Sequence, residues 1–191
     1  MSVIRQVKSF CLANFSKPKS HRRIYRAIRR HSVRKIVEVG MGSGDRAERM
    51  IFIAGRRGDL ISYTGIDEFE GRAGNVHGDD SPGDAPLSLK QAYQRLRPTG
   101  AKVQLVPGPP LAALERMANA LTGTDLLVLS QGLDARSLQS AWFYVPRMLH
   151  RGTVVYLEES LPEGGTHFVR LAVGEVHHLA DHSGKTYRRA A

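Results

Sequence analysis

The stretch Glu38-Val39-Gly40-Met41-Gly42-Ser43-Gly44 has residue types and a spacing that can do chemistry. A glycine-rich turn lets a ligand approach the main chain with no Cβ in the way. Asp67 lies 23 residues beyond Gly44. A carboxylate at that distance can accept hydrogen bonds from both ribose hydroxyls of a nucleotide-like ligand. The glycines read G-x-G-x-G, not the G-x-G-x-x-G of dinucleotide sites, and an acid precedes them by two residues. No G-x-x-x-x-G-K-[ST] occurs, which excludes a P-loop. The residues alone leave two alternatives open. One is a tight connection with Asp67 as a helix cap; the other is a turn for nicotinamide or flavin.

Other reactive side chains are scattered. Ser130 and Gln131 end a later hydrophobic run and could hydrogen-bond a substrate, or simply close a strand. No catalytic base stands out, and His150 reads as a surface residue. His77, Asp79, Asp80 and Asp84 share one loop and could bind a hard cation, although such loops are ordinarily solvated. His177, His178 and His182 invite a metal reading, but neighbours on a strand point to opposite faces, so no metal site is expected.

The elements that must position these residues follow from periodicity and breakers. Ile36–Val39 is a short β-branched run ending at the glycine turn. Asp45–Ala54 places Ala47, Met50, Ile51 and Ala54 at helical spacing, and Gly55 stops it. Leu60–Ile66 reads as a strand closed by Asp67. Glu70–Pro86 holds four glycines, two prolines and four acids, and reads as a long loop. Leu87–Arg97 reads as a helix, Val103–Val106 as a strand, Pro109 to about Leu121 as a helix, and Asp125–Leu129 as a strand. Asp134 can cap a helix reaching Val145, and Thr153–Leu157 is a fifth strand. Phe168–Val173 and Val176–Leu179 look like further strands, with Tyr187 in or beside another. Strands alternating with helices predict a parallel sheet covered on both faces. The fold class expected is therefore α/β: a Rossmann-like three-layer sandwich, mostly parallel, with an antiparallel C-terminal edge.

Val37–Gly44 resembles the first motif of class I S-adenosylmethionine-dependent methyltransferases, and Thr64-Gly65-Ile66-Asp67 resembles their ribose-binding motif at the expected distance. Leu149–Glu158 is similar to their fifth-strand region, so the resemblance spans roughly residues 33–160. It implies S-adenosylmethionine as cofactor. Gly40, Met41, Gly42 and Gly44 would pass along its methionine part, and Glu38 would orient the ammonium directly or through water. Asp67 would hold the ribose, with Ile66 and Glu68 near the adenine. It also implies methyl transfer to a small-molecule or nucleic-acid acceptor. The segment after the third strand, Val106-Pro107-Gly108-Pro109-Pro110, lacks the acid that many members use for the adenine. That departure, with the missing base, supports the alternative of a non-catalytic binding module on the same fold.

Charge divides the chain. Its 191 residues carry a net +10, and residues 1–35 hold eleven Lys/Arg and no acid. The remaining 156 carry 28 − 11 = 17 basic and 18 acidic side chains, a net of −1. Residues 1–32 thus read as a basic helical extension and 33–191 as the methyltransferase-like domain. Ser20 can cap a helix from His21 on which Ile24, Ala27 and Ile28 form an apolar stripe. Arg22, Arg23, Arg26, Arg29 and Arg30 occupy its other face, a solvated surface or a patch for nucleic acid or another polyanion. An organellar transit peptide is also arginine-rich and acid-poor. No apolar run approaches the ~20 residues of a membrane span. The single cysteine, Cys11, excludes an internal disulfide and fits a cytoplasmic location. The equipment around the site is sparse, which suggests an accessible site or one completed by a partner or a second copy of the chain.

Overall fold

The computed structural model describes residues 3–69, 87–130 and 135–190, and the side chains of all of these except 135–137 and 184–190. A basic helical hairpin comes first, α1 (Val3–Phe15) and α2 (Arg22–Arg30). Then follow β1 (Lys35–Val39), α3 (Asp45–Ala54), β2 (Ser62–Asp67), α4 (Leu89–Leu96), β3 (Lys102–Pro107), α5 (Pro110–Met117) and β4 (Thr124–Leu129). The chain closes with α6 (Ala135–Ala141), β5 (Leu149–Ser160), β6 (Thr166–Leu171) and α7 (Val173–Ala190).

The six strands lie in the order β3-β2-β1-β4-β5-β6. All neighbours are parallel except β5 and β6, which pair antiparallel from Val155–Leu171 to Ser160–Thr166. This is the Rossmann-like α/β sandwich expected, with its antiparallel edge. Strand alternation divides the core into two layers. Ile36, Tyr63, Leu126, Val128, Val154, Tyr156 and Phe168 pack under α1 to α4. Val37, Val39, Ile66, Leu127, Leu129 and Val155 pack under α5 to α7. The sheet is therefore buried on both faces, which explains why its central strands read as unbroken apolar runs.

The chain leaves β1 toward β2 and later returns to β4 on β1's other side. That reversal opens a crevice beyond the carboxyl ends of β1 and β4, the place where open α/β sheets bind ligands. The ladder runs slightly past the strands there. Gly40 N donates to Ile66 O at 2.9 Å, and Ser130 N donates to Val39 O at 2.8 Å. The glycine turn, Asp67 and Ser130 are thus held by backbone pairing at one edge.

The structure corrects two expectations. Val176–Leu179 is not a strand but part of α7, and Tyr187 lies on the same helix. Val176 and Ser183 are buried seven residues apart and Leu179 packs against the same core, a helical spacing that tertiary contacts favour over local β-propensity. Glu175 stabilises the helix start by accepting from Ala172 N at 2.5 Å. Secondly, Ser20 caps nothing: it sits in a single 3₁₀ turn, Lys19–His21, and α2 begins at Arg22 without a side-chain cap. Packing anchors α2 instead, with Ile24, Tyr25 and Ile28 fully buried and Ala27 nearly so.

Candidate functional site at the β1–β4 edge

The glycine turn is braced from two directions. From below, Asp67 Oδ2 accepts from Met41 N at 2.6 Å and from Gly42 N at 3.1 Å, while Oδ1 accepts from Glu68 N at 2.8 Å. From the side, Arg95 of α4 donates to Ser43 O at 2.9 Å and pairs with Asp45 and with Glu48, the latter at 3.3 Å. Both acids stand in the first turn of α3, where negative charge also complements the helix dipole.

The glycines of the turn differ in why they are needed. Gly44 has φ +77°, and a Cβ there would meet Leu87 Cδ1 at 3.0 Å and Met41 Cε at 3.2 Å. Gly42 has φ +59° and, among the described residues, nothing within 4 Å of a Cβ position. Gly44 is therefore a packing glycine, whereas Gly42 faces open space, as a backbone cradle for a ligand requires. Met41 turns inward and is buried, its thioether lying over Gly65, where a Cβ would come within 3.1 Å of Sδ.

Behind the turn lies a buried polar cluster that sequence reasoning missed. Glu38 is fully buried; Oε1 accepts from Arg46 Nε at 2.6 Å and Oε2 from Tyr63 OH at 2.5 Å. Arg46 also donates to Gly40 O at 2.8 Å and to Ser130 Oγ, and stacks on the Phe168 ring at 5.1 Å. Burial pushes the Glu38 carboxyl upward, opposed by Arg46 and the Tyr63 hydrogen bond. Burial alone would lower Arg46, but Glu38 together with Glu158 and Tyr63 more than offsets it and the guanidinium stays charged. One signal was available in the sequence. A glutamate inside a buried strand needs a counter-ion, and Arg46, in the first turn of the next helix, is placed against the dipole unless it serves one.

The basic hairpin reaches this cluster too. The His21 ring meets Phe168 edge-on at 5.7 Å, and Tyr25 OH lies 3.5 Å from His21 Nδ1. Burial, then the charges of Arg46 and Arg49, lower the His21 imidazole to about 3, so it is neutral at physiological pH. Burial likewise raises the Tyr25 phenol to about 12.

The remaining sequence-derived candidates fall as follows. Ile66 is buried in the layer under α5, and Glu68 is exposed just past Asp67. Ser130 joins the site through Arg46, while Gln131 and Asp134 lie outside the described residues. The 70–86 loop with His77, Asp79, Asp80 and Asp84 is outside them as well. His150 is exposed at the opposite end of the sheet, 3.1 Å from Asp125. His178 and His182 stack one turn apart on α7, ring centroids 4.4 Å apart. Four of the five arginines of α2 have internal acceptors. Arg22 donates to Ser16 O, Arg23 to Phe168 O, Arg26 to Asn14 Oδ1, and Arg29 to Gln6 O and Ser9 Oγ. Three of these ties lie within the hairpin and its connection, and that of Arg23 joins it to β6.

No family model and no curated protein matches the chain. Solved structures do. One is a TehB-like SAM-dependent methyltransferase from Corynebacterium glutamicum, 16% identical, with a TM-score of 0.51, covering 94% of this chain and 80% of that one. Another is the O-methyltransferase TomG from Streptomyces achromogenes in complex with SAM, 14% identical, with a TM-score of 0.52, covering 83% and 66%. The chain likewise spans 66% of the length of the first solved structures it matches. The fold is thus that of class I SAM-dependent methyltransferases.

Proposed function

We propose that this chain is an S-adenosylmethionine-dependent methyltransferase acting on a small-molecule acceptor. The observation that carries the reading is Gly42, left-handed and open on its Cβ side, next to the buried Asp67 carboxylate at the sheet's reversal point. These residues fit the cofactor. The main chain at Gly40, Gly42 and Gly44 would pass along its methionine part, and Ile66 and Glu68 would border the adenine. Asp67 would take the ribose hydroxyls by exchanging the longer of its two turn contacts, the 3.1 Å bond from Gly42 N. Glu38 acts from behind: both its oxygens hold neighbours, so its contribution is to fix Arg46, and through Arg46 the Gly40 carbonyl and the Ser130 hydroxyl. When bound, the cofactor's sulfonium supplies the electrophilic methyl group. The protein's part is alignment and exclusion of water.

A ligand that binds only the folded state at a hundred times its Kd stabilises by about 2.7 kcal/mol. At 2–4 °C per kcal/mol that is a rise of about 5–11 °C in Tm. We expect this with S-adenosylmethionine and with its demethylated product, and a much smaller rise for Asp67→Ala, which loses charge-assisted hydrogen bonds. An unchanged Tm at saturating cofactor overturns the reading. One observation favours a second reading, a non-catalytic module docking nucleic acid or a partner through the basic hairpin: Glu38 and Asp67 already hold several internal donors. That reading expects no cofactor shift and partner binding that falls steeply with salt.

A further inference from the structure

The first helix is amphipathic in the wrong direction for a soluble domain. Ser9 and Ala13, small residues, face inward and are buried. Val3, Ile4, Val7, Phe10 and Phe15 are 50–79% exposed, and the exposed Cys11 lies among them. At 100° per residue these six fall on one continuous arc, interrupted only by Asn14. The arc cannot roll inward, because polar links fix the helix's rotation. Arg29 donates to Gln6 O at 3.3 Å and to Ser9 Oγ at 3.1 Å, and Gln6 Nε2 donates to Arg56 O at 3.4 Å. Arg5 and Lys8 stand over the Phe52 ring at 5.4 and 5.1 Å.

Cations border the arc. Lys8 and Arg5 lie along one edge, and the neighbouring α2 exposes Arg23, Arg26 and Arg30, with no acid anywhere in residues 1–35. We propose that the α1–α2 hairpin is an interfacial anchor for an anionic lipid bilayer. The apolar arc of α1 would sink into the headgroup boundary, and the flanking Lys and Arg would meet anionic headgroups. Thirteen residues rise only about 20 Å and carry charge, which suits lying in the interface and not crossing it. Charge selects this occupant over a second copy, since pairing two such hairpins would press two acid-free cationic segments together. Nucleic acid would use the cations but leave the apolar arc in water. Basic residues beside a bilayer are attracted to anionic lipid, and the attraction is screened by salt.

The test is sedimentation of the full chain with phosphatidylcholine vesicles, with and without a minority of phosphatidylglycerol. Ile4→Ser/Val7→Ser is the probe, because both side chains are exposed and their loss should leave Tm unchanged. Binding is expected to the anionic vesicles, to weaken in molar salt, and to fall roughly tenfold or more in the double variant. Four results would overturn the anchor. They are no vesicle binding, binding that the variant leaves intact, a dimer in solution that the variant dissociates, and RNA binding indifferent to the variant without vesicle binding. None of these readouts depends on methyl transfer.

Discussion

Removing Arg46 tests the buried cluster behind the glycine turn most directly. Arg46→Met keeps the aliphatic volume but leaves Glu38, fully buried, with Tyr63 as its remaining donor within the cluster. Breaking a buried pair from one side costs about 3–5 kcal/mol, because an uncompensated charge stays behind. At 2–4 °C per kcal/mol that is a fall of about 6–20 °C in Tm. Burial already pushes the Glu38 carboxyl upward. Without Arg46 it would bind a proton more readily still, so the loss should be larger at alkaline than at mildly acidic pH. Adding Glu38→Gln removes the stranded charge. The double variant should therefore be more stable than Arg46→Met alone, with a coupling energy of at least about 2 kcal/mol in the four-member cycle. Urea unfolding of the four proteins at two pH values measures it. If the two substitutions simply add, or if Arg46→Met costs under about 1 kcal/mol, the pair does not hold the turn and Glu38 does not act through Arg46.

Two further predictions concern the turn and the hairpin. Gly44→Ala should destabilise by about 2–4 kcal/mol, since handedness and crowding add. Gly42→Ala should cost only the 1–2 kcal/mol or so of handedness yet weaken cofactor binding more; equal melting losses would contradict the division of roles between the two glycines. For His21, the folded imidazole titrates at about 3 against an ordinary 6.5. The unfolded chain therefore binds the extra proton between these values, and stability present above pH 6.5 is lost as pH falls toward 3. His21→Gln should flatten Tm against pH across that window, and parallel curves for the two proteins would refute the assignment.

The order of strands and helices was legible because its signals are local. Ile36–Val39, Asp125–Leu129 and the glycine or proline breaks after each element need no tertiary knowledge. The glycine turn and Asp67 were legible for the same reason, as a short motif and a residue at fixed spacing. What escaped were pairings made across the fold. Arg46 meets Glu38 one element away, Tyr63 reaches Glu38 from the adjacent strand, and Arg95 staples Ser43 from 52 positions on. Val176–Leu179 misled because four residues are too short to show a period, although Val176 and Leu179 stand three apart, a helical spacing. Only the burial of Val176 and Ser183 on one side shows the helix. The arginines of α2 were legible as charge, but not Arg22, Arg26 and Arg29 as hairpin ties or Arg23 as a tie to β6, since their acceptors are mostly carbonyls, which sequence does not distinguish.

The hairpin joins these themes, because its two helices face opposite demands. α2 is core: Ile24, Tyr25 and Ile28 are fully buried among residues of β1, α3 and β6, and they hold His21 against Phe168 and so near Arg46. Burying each such side chain is worth about 1.5–3 kcal/mol, and three or four of them approach the 5–15 kcal/mol by which a whole domain is stable. Deleting residues 1–32 would therefore unfold the layer under α1 to α4 and report nothing about a partner. α1 adds Ala13, Ser9 and the half-buried Leu12 to the interior while exposing Val3, Ile4, Val7, Phe10 and Phe15. A helix that gave so little to folding would not need an apolar outer arc for stability. Substitutions confined to that arc separate what the hairpin does for the fold from what it does outside it. Loss of vesicle binding at constant Tm would place the two roles on different faces of one element.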